Sequence, residues 1–360
     1  ADHYDAIVLT VGAPVDRRMG IPGEDLEGSA SATDFVAWYN AHPDYHDFDV
    51  DLGVTDVVVV GNGNVAVDVA RILATDVSEL ERTDIADHAL ERLRTSSVRT
   101  ITMLGRRGPA QAAFTPKEIR ELGELTGVTL VVDPADLEVV GELGDDEHAE
   151  RVMGALRAVA GRVPAPKDRV IRLRFLTSPT DLRGEHAVEA VGVVENELVD
   201  EDGVLRARAS GRHGVIQAGL VLRAVGYRGA PVAGYPFDEQ VGRIPNAGGR
   251  ILGGDGVPLV GRYVAGWIKR GPQGVIGTNK ADAGDTVARM VEDLMTSRLL
   301  APRRPAQADA ATLVAARVPG AISWDAWKEI DRCERERGAH NGRPRRKFAT
   351  LDEMLEVLGR

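Results

Sequence analysis

Gly61-Asn-Gly-Asn-Val-Ala66 places two glycines and a small residue at the spacing of a phosphate-cradling turn. The first glycine permits a tight turn, and the second lets main chain approach a pyrophosphate. The small third residue lets a helix pack on the preceding strand. Backbone N–H groups at the helix start then face the anion. An ordinary glycine-rich connection would read the same over six letters, so the flanks decide. Residues 55–60 form a nearly unbroken valine run, and Val65, Val69, Ile72 and Leu73 recur at helical spacing. Strand, turn and helix follow in the order a dinucleotide site requires.

A second strand is expected over 98–104, and it ends in Gly105-Arg-Arg-Gly108. A site for NAD would carry an acid there, on the ribose hydroxyl. Arg106 and Arg107 instead suit a 2′-phosphate, by paired charge-assisted hydrogen bonds. The pair points to NADP over NAD, against the alternative of two solvated surface arginines. Asp68, in the following helix, either faces the nicotinamide end as a catalytic group or is a plain helix acid. Glu118 and Glu121 share one helix face. Glu118 either touches the cofactor ribose or the arginine pair, or is simply solvated. His42, His148, His186, His213 and His340 show no metal spacing, and no serine–histidine pattern suggests hydrolysis. No metal is expected.

The other dense segment is 263–279. A strand is expected to end at Trp267, followed by the basic pair Lys269-Arg270 and then Gly271, Gly274 and Gly277. Main-chain N–H groups and an indole there suit a planar, phosphate-bearing ligand. A glycine loop over a core tryptophan is the plainer reading. A helix over about 280–297 follows, with Val287, Met290, Val291 and Leu294 on one face.

The elements that would hold these residues read as α/β. Residues 5–12 and 128–132 are short apolar runs suited to buried strands. A helix is expected over 31–40, capped by Ser31 or Thr33. Runs at 171–176, 188–198, 204–209 and 220–225 read as one antiparallel set. Pro302-Arg-Arg-Pro-Ala306 reads as a linker. The 360 residues carry 44 Lys+Arg against 55 Asp+Glu, a net charge of −11. A general nucleic-acid or anionic-membrane binder needs the opposite field, so the balance argues against both, though not against a local basic patch. The single Cys333 rules out an intrachain disulfide and an all-cysteine iron–sulfur cluster. No apolar run approaches a membrane span, and no signal peptide opens the chain, so a cytoplasmic location is expected.

Longer motifs then carry a resemblance. Asp16-Arg17, Ile-Pro-Gly-Glu-Asp-Leu (21–26), Phe-Val-Ala-Trp-Tyr-Asn-Ala-His-Pro (35–43), the 61–73 turn and helix, Gly-Arg-Arg-Gly-Pro-Ala-Gln-Ala-Ala-Phe-Thr (105–115) and Gly-Trp-Ile-Lys-Arg-Gly-Pro-Gln-Gly-Val-Ile-Gly-Thr-Asn (266–279) occur in one order. Together they resemble the adrenodoxin-reductase type of ferredoxin–NADP reductase, above all its actinobacterial members. The resemblance implies two Rossmann-like dinucleotide-binding domains, the NADP domain inserted into the FAD domain. It implies hydride transfer from NADPH to FAD and single electrons to an acidic iron–sulfur ferredoxin. It implies NADP contacts at Arg17, Asn62, Gly63, Asn64, Val65, Arg106, Arg107, Glu118 and Gly274. FAD contacts are implied at Trp267, Gly274, Val275 and Ile276.

The family opens with an FAD-binding glycine turn that has no counterpart here. The expectation is therefore a chain lacking the N-terminal FAD segment, with activity complete only in a longer parent. Residues 1–15 would end the first FAD segment, 16–230 form the NADP domain, 231–300 the second FAD segment and 301–360 a helical extension. Lys269-Arg270 and the basic residues of 343–347 would dock ferredoxin. The rival readings are an electron-supplying flavoprotein of the glutamate synthase small-subunit type and a non-catalytic NADP-binding module.

Overall fold

The computed structural model describes residues 3–138, 146–163, 165, 169–274, 276–301 and 307–359. The chain forms two compact units: Ala1–Arg17 with Gly226–Ser323, and Arg18–Val225 with Trp324–Arg360.

The larger unit is built on a six-stranded sheet whose paired strands are all parallel. Its order is Ser29–Ser31, Leu220–Arg223, Asp56–Val60, Thr100–Leu104, Arg169–Arg174, Val128–Val132. The valine run is unbroken because both faces of the sheet are covered. Val57 and Val59 join the core under the helices Ala32–Tyr39 and Asn64–Ala74. Val58 and Val60 join a second core with Leu182, Val188, Val191 and Val193. That second core lies under a three-stranded antiparallel sheet, Thr177–Arg183, Ala190–Glu201 and Val204–Gln217.

This arrangement corrects the single antiparallel set expected over 171–225. Arg169–Arg174 pairs parallel with Thr100–Leu104 and Val128–Val132, and Leu220–Arg223 lies parallel to Asp56–Val60. The run Leu220, Val221, Leu222 is buried throughout, as expected of an inner parallel strand. Arg172 and Arg174 gave the other strand a false alternation. Ser31, not Thr33, caps the first helix, its Oγ accepting from the Thr33 N–H at 3.0 Å.

The last residues also fall differently from a separate extension over 301–360. Helices Trp324–Ala339 and Leu351–Val357 belong to the larger unit. The nearly buried Arg343 guanidinium explains why: it donates to the Thr83 carbonyl at 2.9 Å and pairs with Asp87 at 2.6 Å. Residues 302–306, read as a linker, lie outside the described residues.

The smaller unit holds a four-stranded sheet in the order Ile7–Leu9, Pro258–Val264, Arg250–Leu252, Asn246–Ala247. Only its first pair is parallel. Val15–Asp16 pairs with Tyr227–Arg228 as a two-stranded ribbon, so residues 226–230 belong here and not with the preceding 18–225 segment. The strand expected to reach Trp267 stops at Val264. Gly266, at φ 75°, turns the chain into a short helix, Trp267–Arg270. The long helix begins at Ile276, earlier than its apolar spacing suggested, and ends at Met295.

Tyr263, 1% exposed, donates its hydroxyl to Asp293 Oδ2 at 2.8 Å. Arg250 holds the same carboxylate through Nε at 2.8 Å and Nη2 at 2.9 Å. The Arg250 hydrogen bonds hold Asp293 below the usual carboxylate range, while burial and Asp293 push the Tyr263 hydroxyl up from 10.0 to about 12. A raised tyrosine pKa stabilises the fold fully below pH 10, and that contribution is lost as pH rises through about 12. The depressed Asp293 contributes above its ordinary range and its share is lost as acid protonates it. The melting temperature should therefore fall between pH 10 and 12, by an amount equivalent to roughly 2 kcal/mol. Tyr263→Phe should flatten that alkaline limb in a melting series. An unchanged limb in the variant would exclude Tyr263 as its source.

Candidate functional site

The strand Asp56–Val60 ends at Gly61, whose N–H donates to the Leu104 carbonyl at 2.9 Å. Gly61 has φ 136°, and a Cβ there would lie 2.3 Å from the Ala224 carbonyl oxygen. Asn62 follows, its main-chain carbonyl accepting from Ala113 and Phe114 N–H at 3.1 Å each. Gly63 is the N-cap of helix Asn64–Ala74, with no side-chain cap bond and no acid in the first turn. The first-turn N–H groups, including those of Asn64 and Val65, have no partner within the helix. A Cβ on Gly63 would meet nothing closer than Ala113 Cβ at 3.9 Å. The fold does not need glycine there; an anion approaching the main chain does.

The arginine turn sits against this one. A Cβ on Gly105 would come within 2.6 Å of Asn62 Nδ2, so glycine lets the two turns touch. Three successive carbonyls of the second turn are captured. Gly105 O accepts from Thr177 N–H at 3.0 Å, and Arg107 O from Leu176 N–H at 3.1 Å. Arg106 O accepts from the Asn196 side-chain Nδ2 at 2.8 Å. Both arginine side chains are exposed, and neither guanidinium has a carboxylate partner among the described residues. Two unpaired guanidiniums on a braced turn fit a phosphate.

The acids are less straightforward. Asp68 is exposed and 3.8 Å from Arg71. Partial burial pushes its carboxyl up, Arg71 pulls it down, and Glu118 and Glu121 push it up again. Glu118 forms a capping box with Thr115: its Oε2 accepts from Thr115 N–H at 3.1 Å and from the Thr115 hydroxyl. It makes no ion pair with Arg106 or Arg107 among the described residues. Glu121 binds Arg71 at 3.2 Å and Lys117 at 3.4 Å. Asn64 is also engaged, its Oδ1 accepting from Thr115 N–H at 3.1 Å.

The smaller unit carries Arg17, Trp267 and Gly274, of which Arg17 and Trp267 both meet Tyr227. Arg17 Nε donates to the Tyr227 carbonyl at 3.1 Å. The Trp267 indole stacks on Tyr227 with ring centroids 5.8 Å apart, and its Nε1 is buried without a partner among the described residues. A buried donor left unpaired fits a ligand acceptor beside the ring. Gly274 has φ 83°, and a Cβ there would crowd Thr278 Oγ1 at 2.7 Å. Val275 lies outside the described residues, and Ile276 opens the long helix.

Of the basic pair expected to dock a partner, Lys269 is not a free charge. Lys269 is nearly buried, 3.0 Å from Asp282, and donates to Thr286 Oγ1 at 3.0 Å. Asp282 also accepts from the Gly266 N–H at 2.5 Å, tying down the turn before Trp267. Arg270 Nη2 donates to Asn279 at 2.5 Å. The cations of 343–347 are engaged likewise: Arg345 with Asp331 at 2.9 Å and Glu334 at 3.0 Å, Arg346 with Asp87, Lys347 with Asp84 at 3.0 Å. Lys269 and the cations of 343–347 thus face acids, some more than 250 residues away, whereas Arg270 has only the neutral Asn279 amide.

Among the described residues no group of three or more histidine, cysteine or acidic side chains gathers as a metal site, and no helix is long and apolar enough to cross a membrane. No protein-family profile matches the chain. Single relatives do. The NADPH-ferredoxin reductase FprA of Mycobacterium tuberculosis is 48% identical over 99% of this chain and 79% of its own length. The mitochondrial NADPH:adrenodoxin oxidoreductase of Homo sapiens is 39% identical over 99% of this chain and 75% of its own. The solved structure of M. tuberculosis FprA in complex with NADPH superposes with a TM-score of 0.92 at 46% identity, covering 99% of this chain and 79% of that one.

Proposed function

The chain belongs to the NADPH–ferredoxin reductases of the adrenodoxin-reductase type, and from that we propose that it passes electrons between NADPH and a ferredoxin through FAD. The observation that carries the nucleotide half is the unpaired Arg106–Arg107 turn packed against the open N-terminus of helix Asn64–Ala74. There the N–H groups of 64 and 65, reached past Gly63, hold the pyrophosphate. Arg106 and Arg107 hold the 2′-phosphate. Asn62 shapes the turn; Arg17 and Gly274, of the smaller unit, are NADP contacts by the family resemblance alone.

FAD, when bound, supplies the conversion of a hydride into two single electrons. The residues of the smaller unit that hold it are Trp267, Gly274, Val275 and Ile276. The indole N–H of Trp267, buried without a partner among the described residues, would donate to a cofactor acceptor, and Tyr227 stacks on the ring and limits its orientation. Lys269 and Asp282 support this segment from beneath; they bind neither cofactor nor partner. Asp68, if it faces the nicotinamide, acts as a charge that responds to pH and does not transfer the hydride. Glu118 serves the cap of its own helix and touches NADP only with its remaining oxygen.

The partner is an acidic iron–sulfur protein; of the cations expected to dock it, Arg270, bonded to Asn279 and to no acid among the described residues, keeps its charge free to draw it despite the −11 total. Mixing the FAD-loaded protein anaerobically with NADPH and a plant-type [2Fe–2S] ferredoxin tests the whole reading. Reduction of the ferredoxin chromophore should be NADPH-dependent, slower with NADH, and slower as the Debye length shrinks to about 8 Å. No NADPH-dependent reduction of any iron–sulfur acceptor would sink it. A rate indifferent to salt would sink only the charge-steered partner.

A further inference from the structure

Asn196 is 5% exposed and its side chain is committed on both N–H groups. One donates to the Arg106 carbonyl at 2.8 Å and the other to Ser178 Oγ at 2.8 Å. Its own main-chain N–H donates to the Leu176 carbonyl at 2.6 Å. Leu176 has φ 48°, a left-handed conformation uncommon for a leucine, and its N–H in turn holds Arg107 O. The carbonyls of 105, 106 and 107 thus receive three donors, two from the entry to the antiparallel sheet at 176–177 and one from its middle strand. Two of the three are main chain. Asn196 is the only side chain among the described residues that bonds to the main chain of the arginine turn.

We infer that Asn196 is a positioning residue for nucleotide choice, clamping the Arg106 carbonyl so that both guanidiniums project to one place. The inference rests on reading Arg106 and Arg107 as the 2′-phosphate site. The physical reason is entropy. Long arginine side chains lose rotamer freedom when they bind, and a fixed main chain is what limits that loss to the side chains. Without Asn196 the Arg106 carbonyl is left to water and the turn gains freedom that binding must remove. The effect therefore falls on the 2′-phosphate and not on the pyrophosphate, which the helix N-terminus holds independently.

Calorimetric titration with 2′,5′-ADP and with ADP tests this without any flavin. Asn196→Ala should weaken 2′,5′-ADP about 3- to 10-fold and ADP by less than about twofold. Ser178→Ala, which removes the other acceptor, should weaken neither. In a background of Arg106→Ala with Arg107→Ala, Asn196→Ala should add nothing, because the groups it positions are gone. Equal weakening of both ligands, or full persistence of the effect in the double-alanine background, would overturn the inference and make Asn196 a general brace. If the double-alanine protein loses 2′,5′-ADP but Asn196→Ala does not, the inference fails and the phosphate site stands. If the double-alanine protein binds 2′,5′-ADP normally, the phosphate site itself is wrong. Asn196→Ser, too short to reach Arg106, repeats the measurement if the alanine variant does not fold.

Discussion

Replacing Arg106 and Arg107 together with alanine should raise the KM for NADPH by about one to three orders of magnitude while the KM for NADH barely moves. A hydrogen bond to a charged group contributes about 1.5–3 kcal/mol, or roughly 10- to 150-fold in binding. Two guanidiniums on one phosphate give the upper part of the range. NADH presents a hydroxyl at that position and gains little from either. The turnover number should change little, because a contact remote from the hydride is equally strong in ground and transition states. Stability should also hold within about 0.5 kcal/mol, since both side chains are exposed and neither pairs with an acid among the described residues. That last point makes the variant informative: a loss of NADPH cannot be traced to unfolding. Steady-state kinetics with both nucleotides and one melting curve decide it. An equal loss for NADH would make the pair structural and remove the main support for NADP.

What the sequence made legible is what a short stretch of chain settles alone. The 55–74 segment needs only its own valines, glycines and helical spacing to declare strand, turn and helix, and it folds that way. Arg106 and Arg107 follow a strand end directly, and the fold leaves both exposed and without an acid partner among the described residues. Residues of the same kinds were misread wherever a distant partner sets their role. Lys269 looks like surface charge until Asp282 lies against it, and Arg343 until Asp87 and the Thr83 carbonyl do. Glu118 carries a local duty besides its proposed ligand contact, since Thr115 closes a capping box on it. Parallel pairing of Arg169–Arg174 was hidden for a related reason. Alternating arginines reflect its position next to the edge strand Val128–Val132, and strand order is a long-range property. Asn196 gave no local signal at all, since a buried asparagine in a strand declares nothing until the turn ninety residues earlier is beside it.

The glycines of the first turn divide the same way, and two substitutions should separate their duties. Gly63→Ala should leave the melting temperature nearly unchanged and weaken NADPH and NADH alike, by about two orders of magnitude. Gly63 has φ −96°, which alanine adopts freely, and its Cβ would touch only Ala113 Cβ at 3.9 Å. The cost to the fold is an N-cap exchange, less than about 1 kcal/mol. The methyl group stands where a pyrophosphate must approach the first-turn N–H groups, and losing a hydrogen bond to a charged group there costs about 1.5–3 kcal/mol, or roughly 10- to 150-fold. Gly61→Ala should do the reverse of this at the level of stability. Its φ of 136° is a region alanine avoids, and its Cβ would press on the Ala224 carbonyl at 2.3 Å. Ala224 N–H donates to the Val60 carbonyl at 2.8 Å, so relieving that clash loosens the pairing of two central strands. The expected loss is about 2–4 kcal/mol of stability, with nucleotide binding weakened only as the folded population falls. Thermal melts and NADPH titrations on both variants give four numbers. If Gly63→Ala binds both nucleotides as the unaltered protein does, the pyrophosphate does not lie on this turn, and the arginines would need another ligand.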